Sequence, residues 1–272
     1  MPMNGEDRIT AEGLLGRLSP GGPWSDIVCL GTIESTNGSA MEMAERGAPH
    51  GTVVVADGQT GGRGRMGRRW LSPPGRNIYV SVVLRPVLPV AQAPRLSLVA
   101  GVALADAVEA AGVPGSLKWP NDLYLGERKA AGILSEMASG AGGVRHVVVG
   151  VGINVNLGED EIPAELRGKA TSLRIRAGRS FPRAGILARF LDAFGARYAD
   201  FAAGGFPAVR DGWARRDFLS GRRILLRSGG REEWGVAGGV DAEGALLFRR
   251  DGEDAGVAVH SGEIAEISAV TG

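Results

Sequence analysis

The sequence predicts an α+β fold: a mixed central sheet with flanking helices, followed by a small all-β unit. Two observations predict it. Across residues 26–217 helical and strand patterns follow one another without the regular alternation of a doubly wound sheet. Past Asp217 the texture changes to short alternating strands separated by glycine turns. The boundary falls between Asp217 and Gly221, which divides the chain into an N-terminal segment (1–25), a main domain (26–217) and a C-terminal β domain (218–272).

Residues 1–25 are punctuated by Gly and Pro and hold one short helix at most, about Ala11 to Leu18. That is too little for a helix-turn-helix domain with its own core. Thr32 to Asn37 precedes a helical pattern through Ala40 and Ala44 that Gly47 closes. Thr52 to Ala56 is a β-branched run with the look of a buried strand, and Asn77 to Leu84 is a second. Between them lies GGRGRMGRRW, residues 61–70, which is therefore a loop joining two strands. Residues 95–111 have helical spacing with Gly112 and Pro114 as a stop. Three short strands follow, Ser116 to Trp119, Ala130 to Glu136 and Val144 to Val151, then an amphipathic helix at about Arg183 to Ala202. The C-terminal strands are centred on Arg223–Leu226, Glu233–Val236 and Ala245–Phe248.

Composition narrows the function. The 272 residues are 44% hydrophobic and 22% charged, ordinary for a folded soluble protein. A net charge of +1 leaves no global field to hold DNA or an anionic membrane, so any basic patch is local. No apolar stretch is long enough for a membrane span, and the N-terminus lacks a signal-peptide core, so a cytoplasmic location is expected. The single cysteine, Cys29, excludes a disulfide framework and reads as a small buried hydrophobe. The positive charge comes from 28 arginines and only three lysines, Lys118, Lys129 and Lys169. A lysine here asks for a reason, because its compact ammonium follows a moving charge that a planar guanidinium does not. For Lys169 chance suffices.

Three stretches carry chemistry. In the 61–70 loop, Gly61, Gly62, Gly64 and Gly67 permit close backbone approach, while Arg63, Arg65 and Arg68 present forked donors to carboxylate or phosphate oxygens. It is no P-loop, since the Gly-Lys-Ser/Thr ending is absent. A solvated basic loop and an RNA-facing Arg-Gly segment are the other readings. The second stretch is KWPNDLY, Lys118 to Tyr124, with Lys129 following in RKAAGIL; a hairpin with a packed tryptophan explains its turn but not its two lysines. The third is GVGINVN, Gly150 to Asn156, where spaced glycines end a strand before an amide.

Taken together and in this order, these stretches resemble the biotin–protein ligase family, of the short type without a DNA-binding N-terminal domain. The resemblance runs from Ser35-Thr36-Asn37 through Gln59 and GRGRMGRRW to KWPNDL, RKAAGIL and GVGINVN, about Ile33 to Asn156. It implies a class II aminoacyl-tRNA synthetase-like catalytic fold with a small SH3-like barrel, near whose end Ser261-Gly262-Glu263 stands. It also implies an activity: biotin and ATP form biotinyl-5′-AMP, and the biotinyl group passes to a lysine of a biotin carboxyl carrier protein domain.

On that resemblance Lys129, Arg65 and Arg68 are the catalytic cations. Ser35, Thr36, Asn37, Gln59, Gly62, Arg63, Arg65, Lys129 and Gly132 hold biotin; Ser35 is also explained as a helix N-cap. Arg65, Arg68, Trp70, Lys118, Asn121, Lys129, Gly152 and Asn154 hold ATP and the adenylate. Asp122 is the candidate Mg²⁺ ligand. The loop is expected to close over the adenylate and keep water off the mixed anhydride. No DNA or membrane partner is implied, and the chain is expected to be a monomer or weak homodimer. Met66 departs from the basic or small residue frequent there, and Ala265-Glu266-Ile267 lacks the arginine that some members carry. The neighbouring activity is a lipoate or octanoate ligase or transferase of the same fold; octanoyl transfer uses a cysteine, and Cys29 lies outside the loop region.

Overall fold

The structure is a computed structural model that describes residues 7–24 and 26–268. Residues 1–6 and 25 of the expected N-terminal segment, and residues 269–272, lie outside the described part.

A seven-stranded sheet forms the centre, in the order β1 (Ile27–Ile33), β2 (Val53–Gln59), β3 (Ile78–Leu84), β7 (Gly143–Ile153), β6 (Arg128–Gly140), β5 (Asp122–Leu125) and β4 (Ser116–Lys118). Only β1 and β2 pair in parallel; every other neighbouring pair is antiparallel, so the sheet is mixed as expected. Two strands escaped the sequence reading. β1 is an edge strand with one uncovered side, so its residues lack full burial and its pattern is weak. For the same reason Cys29 is half-buried instead of enclosed. β5 is only four residues long and opens in what turn chemistry marks as a loop.

The two faces of the sheet divide the labour. Helices α3 (Arg95–Ala110) and α5 (Arg183–Gly204) cover one face, where Val53, Val55, Val80, Val82, Val149, Val151, Ile133, Leu117 and Leu123 pack with no more than 3% exposure. Helix α2 (Thr36–Glu45) covers part of the other face, where Ala40, Ala44, Val54, Val83 and Val148 make a small second core. Because strand side chains alternate, the same strands that send valines into the main core turn Lys118, Asp122, Gly132, Leu134, Gly150 and Gly152 toward the second face. That face, beyond the end of α2, is open.

After α5 a short helix, α6 (Pro207–Ala214), leads to a five-stranded antiparallel sheet in the order β11 (Val257–Val259), β10 (Leu246–Arg250), β9 (Arg231–Val240), β8 (Arg223–Ser228) and β12 (Glu263–Ile267). This agrees with a small barrel. Sequence reading missed α6, β11 and β12, each of ten residues or fewer with little periodicity of its own. The unit is tied to β4 and the KWPND turn that follows it: Phe218 N–H donates to Leu117 O at 2.9 Å, and the Trp119 indole N–H to Gly244 O at 3.2 Å. The short N-terminal helix α1 (Ala11–Leu15) packs on α5. No helix among the described residues is long and apolar enough to cross a membrane.

Candidate active site

A cavity of about 380 Å³ opens on the second face of the central sheet. Its floor follows from strand register. Lys118 pairs with Asp122, Asp122 with Gly132, Gly132 with Gly152 and Gly152 with Tyr79, one row across β4, β5, β6, β7 and β3. Charged side chains stand at one end of this row, and the two glycines leave its middle flat.

Trp70 lies on that flat part. A Cβ on Gly152 would fall 2.3 Å from the indole Nε1, and one on Gly132 would fall 3.2 Å from the ring's Cζ3. The indole N–H is buried and has no hydrogen-bond partner. The 61–70 stretch is the expected strand-to-strand loop. It leaves and rejoins the sheet as a narrow hairpin: Trp70 N–H donates to Gly62 O at 2.9 Å and Gly64 N–H to Arg68 O at 2.7 Å. Its tip needs two left-handed residues, Met66 at φ 57° and Gly67 at φ 72°. Gly62 must be glycine, since a Cβ there would meet Ser72 Oγ at 2.7 Å.

Seven cationic side chains and two carboxylates border the cavity. Lys129 Nζ lies 2.6 Å from Asp122 Oδ1 and 5.4 Å from the centre of the Trp70 ring. Lys118 stands over the Tyr124 ring and donates to its hydroxyl at 3.4 Å. Burial, more than its cationic neighbours Lys129 and Arg68, pulls the Lys118 ammonium below its usual pKa, while Asp122 opposes the shift. Arg65 is likewise lowered, first by burial, with Asp122 opposing and Arg68 reinforcing. Arg65 donates to Asn121 Oδ1 at 3.5 Å and to Gly262 O at 3.3 Å, and Arg68 pairs with Glu263. The start of β12 therefore holds both loop arginines. An anion entering here meets an excess of cations in a partly dry setting, where each charge counts for more than in water.

The other end of the cavity is neutral and hydrogen-bonding. Ser35, Asn37 and Gln59 border it. Gln59 Oε1 accepts from Thr36 N at 2.8 Å and from the Thr36 hydroxyl at 3.1 Å, and its amide donates to Ser72 at 3.1 Å. Thr36 and Gly62 do not border the cavity: Thr36 is 4% exposed and orients Gln59 from behind. Ser35 does both things expected of it, capping α2 at Gly38 N and facing the cavity. Asn37 has little left to offer a ligand, because its amide donates to Leu134 O and Glu136 while its carbonyl accepts from Ser81. Asn154 is similar, donating to Thr171 O at 3.0 Å and accepting from Asn77 at 3.4 Å.

The structure thus brings Ser35, Asn37, Gln59, Arg63, Arg65, Arg68, Trp70, Lys118, Asn121, Asp122, Lys129, Gly132, Gly152 and Asn154 to one cavity. The structure shows what surrounds Asp122, the residue assigned to a metal. Its carboxylate is engaged by Lys129, and no group of three His, Cys, Asp or Glu side chains able to hold a metal occurs among the described residues. Sequence reasoning missed Gly150, Leu134, Glu263 and an apolar wall made by Leu157, Ile162, Leu166 and Ala170. It also set aside Lys169, which borders the cavity and whose carbonyl accepts Lys129 N–H at 2.8 Å. The scarcity of lysine was the signal, and it applied to all three.

Comparison with known proteins agrees with this geometry. Residues 31–154 match the Biotin/lipoate A/B protein ligase family. The chain is 42% identical over 223 residues to the bifunctional ligase/repressor BirA of Bacillus spizizenii, covering 82% of this chain and 69% of that one. It is 35% identical over 225 residues to the biotin–[acetyl-CoA-carboxylase] ligase of Paracoccus denitrificans, covering 81% of this chain and 92% of the relative. Among solved structures, the biotin protein ligase from Aquifex aeolicus in complex with biotin and ATP superposes with a TM-score of 0.78 at 30% identity, covering 90% of this chain and all of that one.

Proposed function

Since the chain belongs to the biotin protein ligases of the biotin/lipoate ligase family, we propose that it makes biotinyl-5′-AMP from biotin and ATP and transfers biotin to a carrier lysine. The observation that carries the reading is the glycine floor with Trp70 above it, neutral hydrogen-bonding groups at one end and Lys118, Lys129 and the loop arginines at the other. That polarity suits a ligand with an uncharged polar head, an apolar body and a reactive anionic end.

In the first step a carboxylate oxygen of biotin attacks the α-phosphorus of ATP, and the bond to the β-phosphate oxygen breaks to release pyrophosphate. Two anions approach each other, so positioning and cationic stabilisation are what the protein supplies. Lys129 takes the meeting point of carboxylate and α-phosphate, with Arg65, Arg68 and Lys118 on the phosphates. Ser35 and Gln59 hold the ureido ring, with Thr36 fixing the Gln59 amide. The closed 61–70 loop keeps water from the mixed anhydride. In the second step the carrier's ε-amine attacks the biotinyl carbonyl carbon, and the bond to AMP breaks. The amine must first lose a proton, and Asp122 and Glu263 are the two carboxylates that border the cavity. Magnesium enters this reading only as the counter-ion of the ATP phosphates, and no step passes through it.

On this reading residues 26–217 carry the chemistry and residues 218–272 a small barrel that latches the loop. The acceptor is a biotin carboxyl carrier protein domain, the setting is cytoplasmic, and the enzyme works as a monomer or weak dimer without DNA. Lipoate or octanoate transfer is not favoured: the Paracoccus denitrificans and Aquifex aeolicus proteins are named as biotin ligases, and Cys29 does not border the cavity. The test is a purified-protein assay with biotin, lipoate and octanoate, each with ATP, following pyrophosphate and the acyl-adenylate by mass. Biotin is expected to be the preferred acid; preference for lipoate would overturn the reading.

A further inference from the structure

The cavity wall that sequence reasoning missed continues into an unusual strip of surface. Residues 166–191 carry seven basic side chains and no acidic one, in a chain whose net charge is only +1. One of the seven, Arg183, is turned inward and paired with Asp7 and Asp57. The remaining six, Arg167, Lys169, Arg174, Arg176, Arg179 and Arg189, are exposed. None of these six is in an ion pair among the described residues, although Arg222, Arg223 and Arg227 on the C-terminal sheet each find a carboxylate. An uncompensated strip amid such pairing is a directed field.

Its position gives the field a use. The strip is bolted to the strand that holds the catalytic cation Lys129: Lys129 N–H donates to Lys169 O at 2.8 Å and Thr171 N–H to Lys129 O at 2.9 Å. Helix α4 (Leu173–Ala177) follows at once and is anchored to the end of β7 by Leu173 N–H donating to Asn154 O at 3.0 Å. Lys169 borders the cavity, whereas Arg167, Arg174 and Arg176 do not line it but flank the residues that do, Leu166, Lys169 and Ala170. A lysine side chain is short, so any acceptor domain that delivers one must rest its body close to the cavity, and this strip adjoins it.

We propose that residues 167–179 are the docking surface for the carrier domain, and that they recognise acidic side chains flanking the acceptor lysine. This rests on the ligase reading. A nucleic acid is a poorer fit, because the strip presents no exposed aromatic ring for stacking; its one aromatic before Phe190, Phe181, is 4% exposed.

The test uses Arg167→Glu with Arg176→Glu, two exposed side chains with no polar side-chain contact, against Arg210→Glu with Arg231→Glu, the same change of charge elsewhere. Pyrophosphate release from biotin and ATP is measured separately from transfer to a carrier domain, at low and high salt. In the strip variant, KM for the carrier is expected to rise by about tenfold or more at low salt, with adenylate formation unchanged and the salt dependence flattened. The control is expected to match the wild type. A carrier KM that moves no more than in the control overturns the proposal, and so does an equal loss of adenylate formation, which would assign the strip to nucleotide. Loss of duplex-DNA binding in the strip variant with an unaltered carrier KM would give the strip to nucleic acid instead. Failure of the ligase reading is separate: the unmodified protein would then form no biotinyl-adenylate.

Discussion

Trp70 and Gly152 are in contact on the floor of the cavity: the indole lies where a side chain on Gly152 would have to be, 2.3 Å from the position of its Cβ. The loop's resting place thus depends on a hydrogen atom at position 152. Gly152→Ala is expected to unseat the indole at a cost of about 1–3 kcal/mol and to speed proteolysis within residues 61–70. Thermal unfolding and limited proteolysis check this. An unchanged cleavage rate would mean that the indole does not rest on that glycine.

Lys129 is expected to matter more to chemistry than to binding. Lys129→Ala should lower the rate of adenylate formation by about 10²–10³-fold while biotin affinity falls only several-fold, since the ammonium stabilises charge that grows in the transition state. Pyrophosphate release and calorimetric titration with biotin separate the two. Equal losses in both would make Lys129 a binding residue alone.

Glu263 holds Arg68 while the site is free. Glu263→Gln is expected to make the free loop cleave faster, with the difference vanishing once biotin and ATP are both bound. Cleavage that the two ligands fail to suppress in the unmodified protein would count against closure of the loop.

Arg183 is buried, at 2% exposure, and serves Asp7, Asp57 and the carbonyl of Asn77 together. Arg183→Ala leaves these groups without their partner. A loss of about 3 kcal/mol is expected by denaturant unfolding, at the low end for a broken buried pair because both carboxylates are partly exposed.

Stability should fall in mild acid. His50 Nδ1 accepts Arg85 N–H at 3.1 Å, and His146 is 1% exposed. Burial, the first cause in each case, holds both imidazoles below their usual pKa; near His146, Glu45 opposes the shift while Arg85 and Arg145 add to it. A lowered folded pKa means that the unfolded chain binds more protons, so the stabilisation is complete above about pH 6.5 and is lost as pH falls toward the folded values. Melting temperature is expected to drop between about pH 6.5 and pH 5, less steeply in the variant with His50→Gln and His146→Gln. An identical slope in that variant would assign the acid sensitivity to carboxylates.

Much of the candidate site was legible because its residues are rare or locally constrained. Four glycines among four arginines, two of three lysines eleven residues apart and glycines spaced along one strand each need a reason that packing alone does not provide. The long elements were legible as well, since β2 and β3 are near-continuous buried apolar runs and α3 and α5 carry helical spacing. The edge strand β1 and the short elements β5, α6, β11 and β12 bury little by themselves, so their patterns are faint.

The sequence by itself determined the fold class, the loop between two strands, the polar and cationic residues of the site and the family. Tertiary structure alone decided which of those residues share one face and what each is free to do. Strand register set Gly132 beside Gly152 and opened the floor, and α2 put Thr36 behind Gln59 instead of beside the ligand. Asp122 met Lys129, and the start of β12 reached back to the loop arginines. These are pairings between residues distant along the chain. Local pattern reports what a side chain can do, while its partners across the fold settle which of those capacities remain.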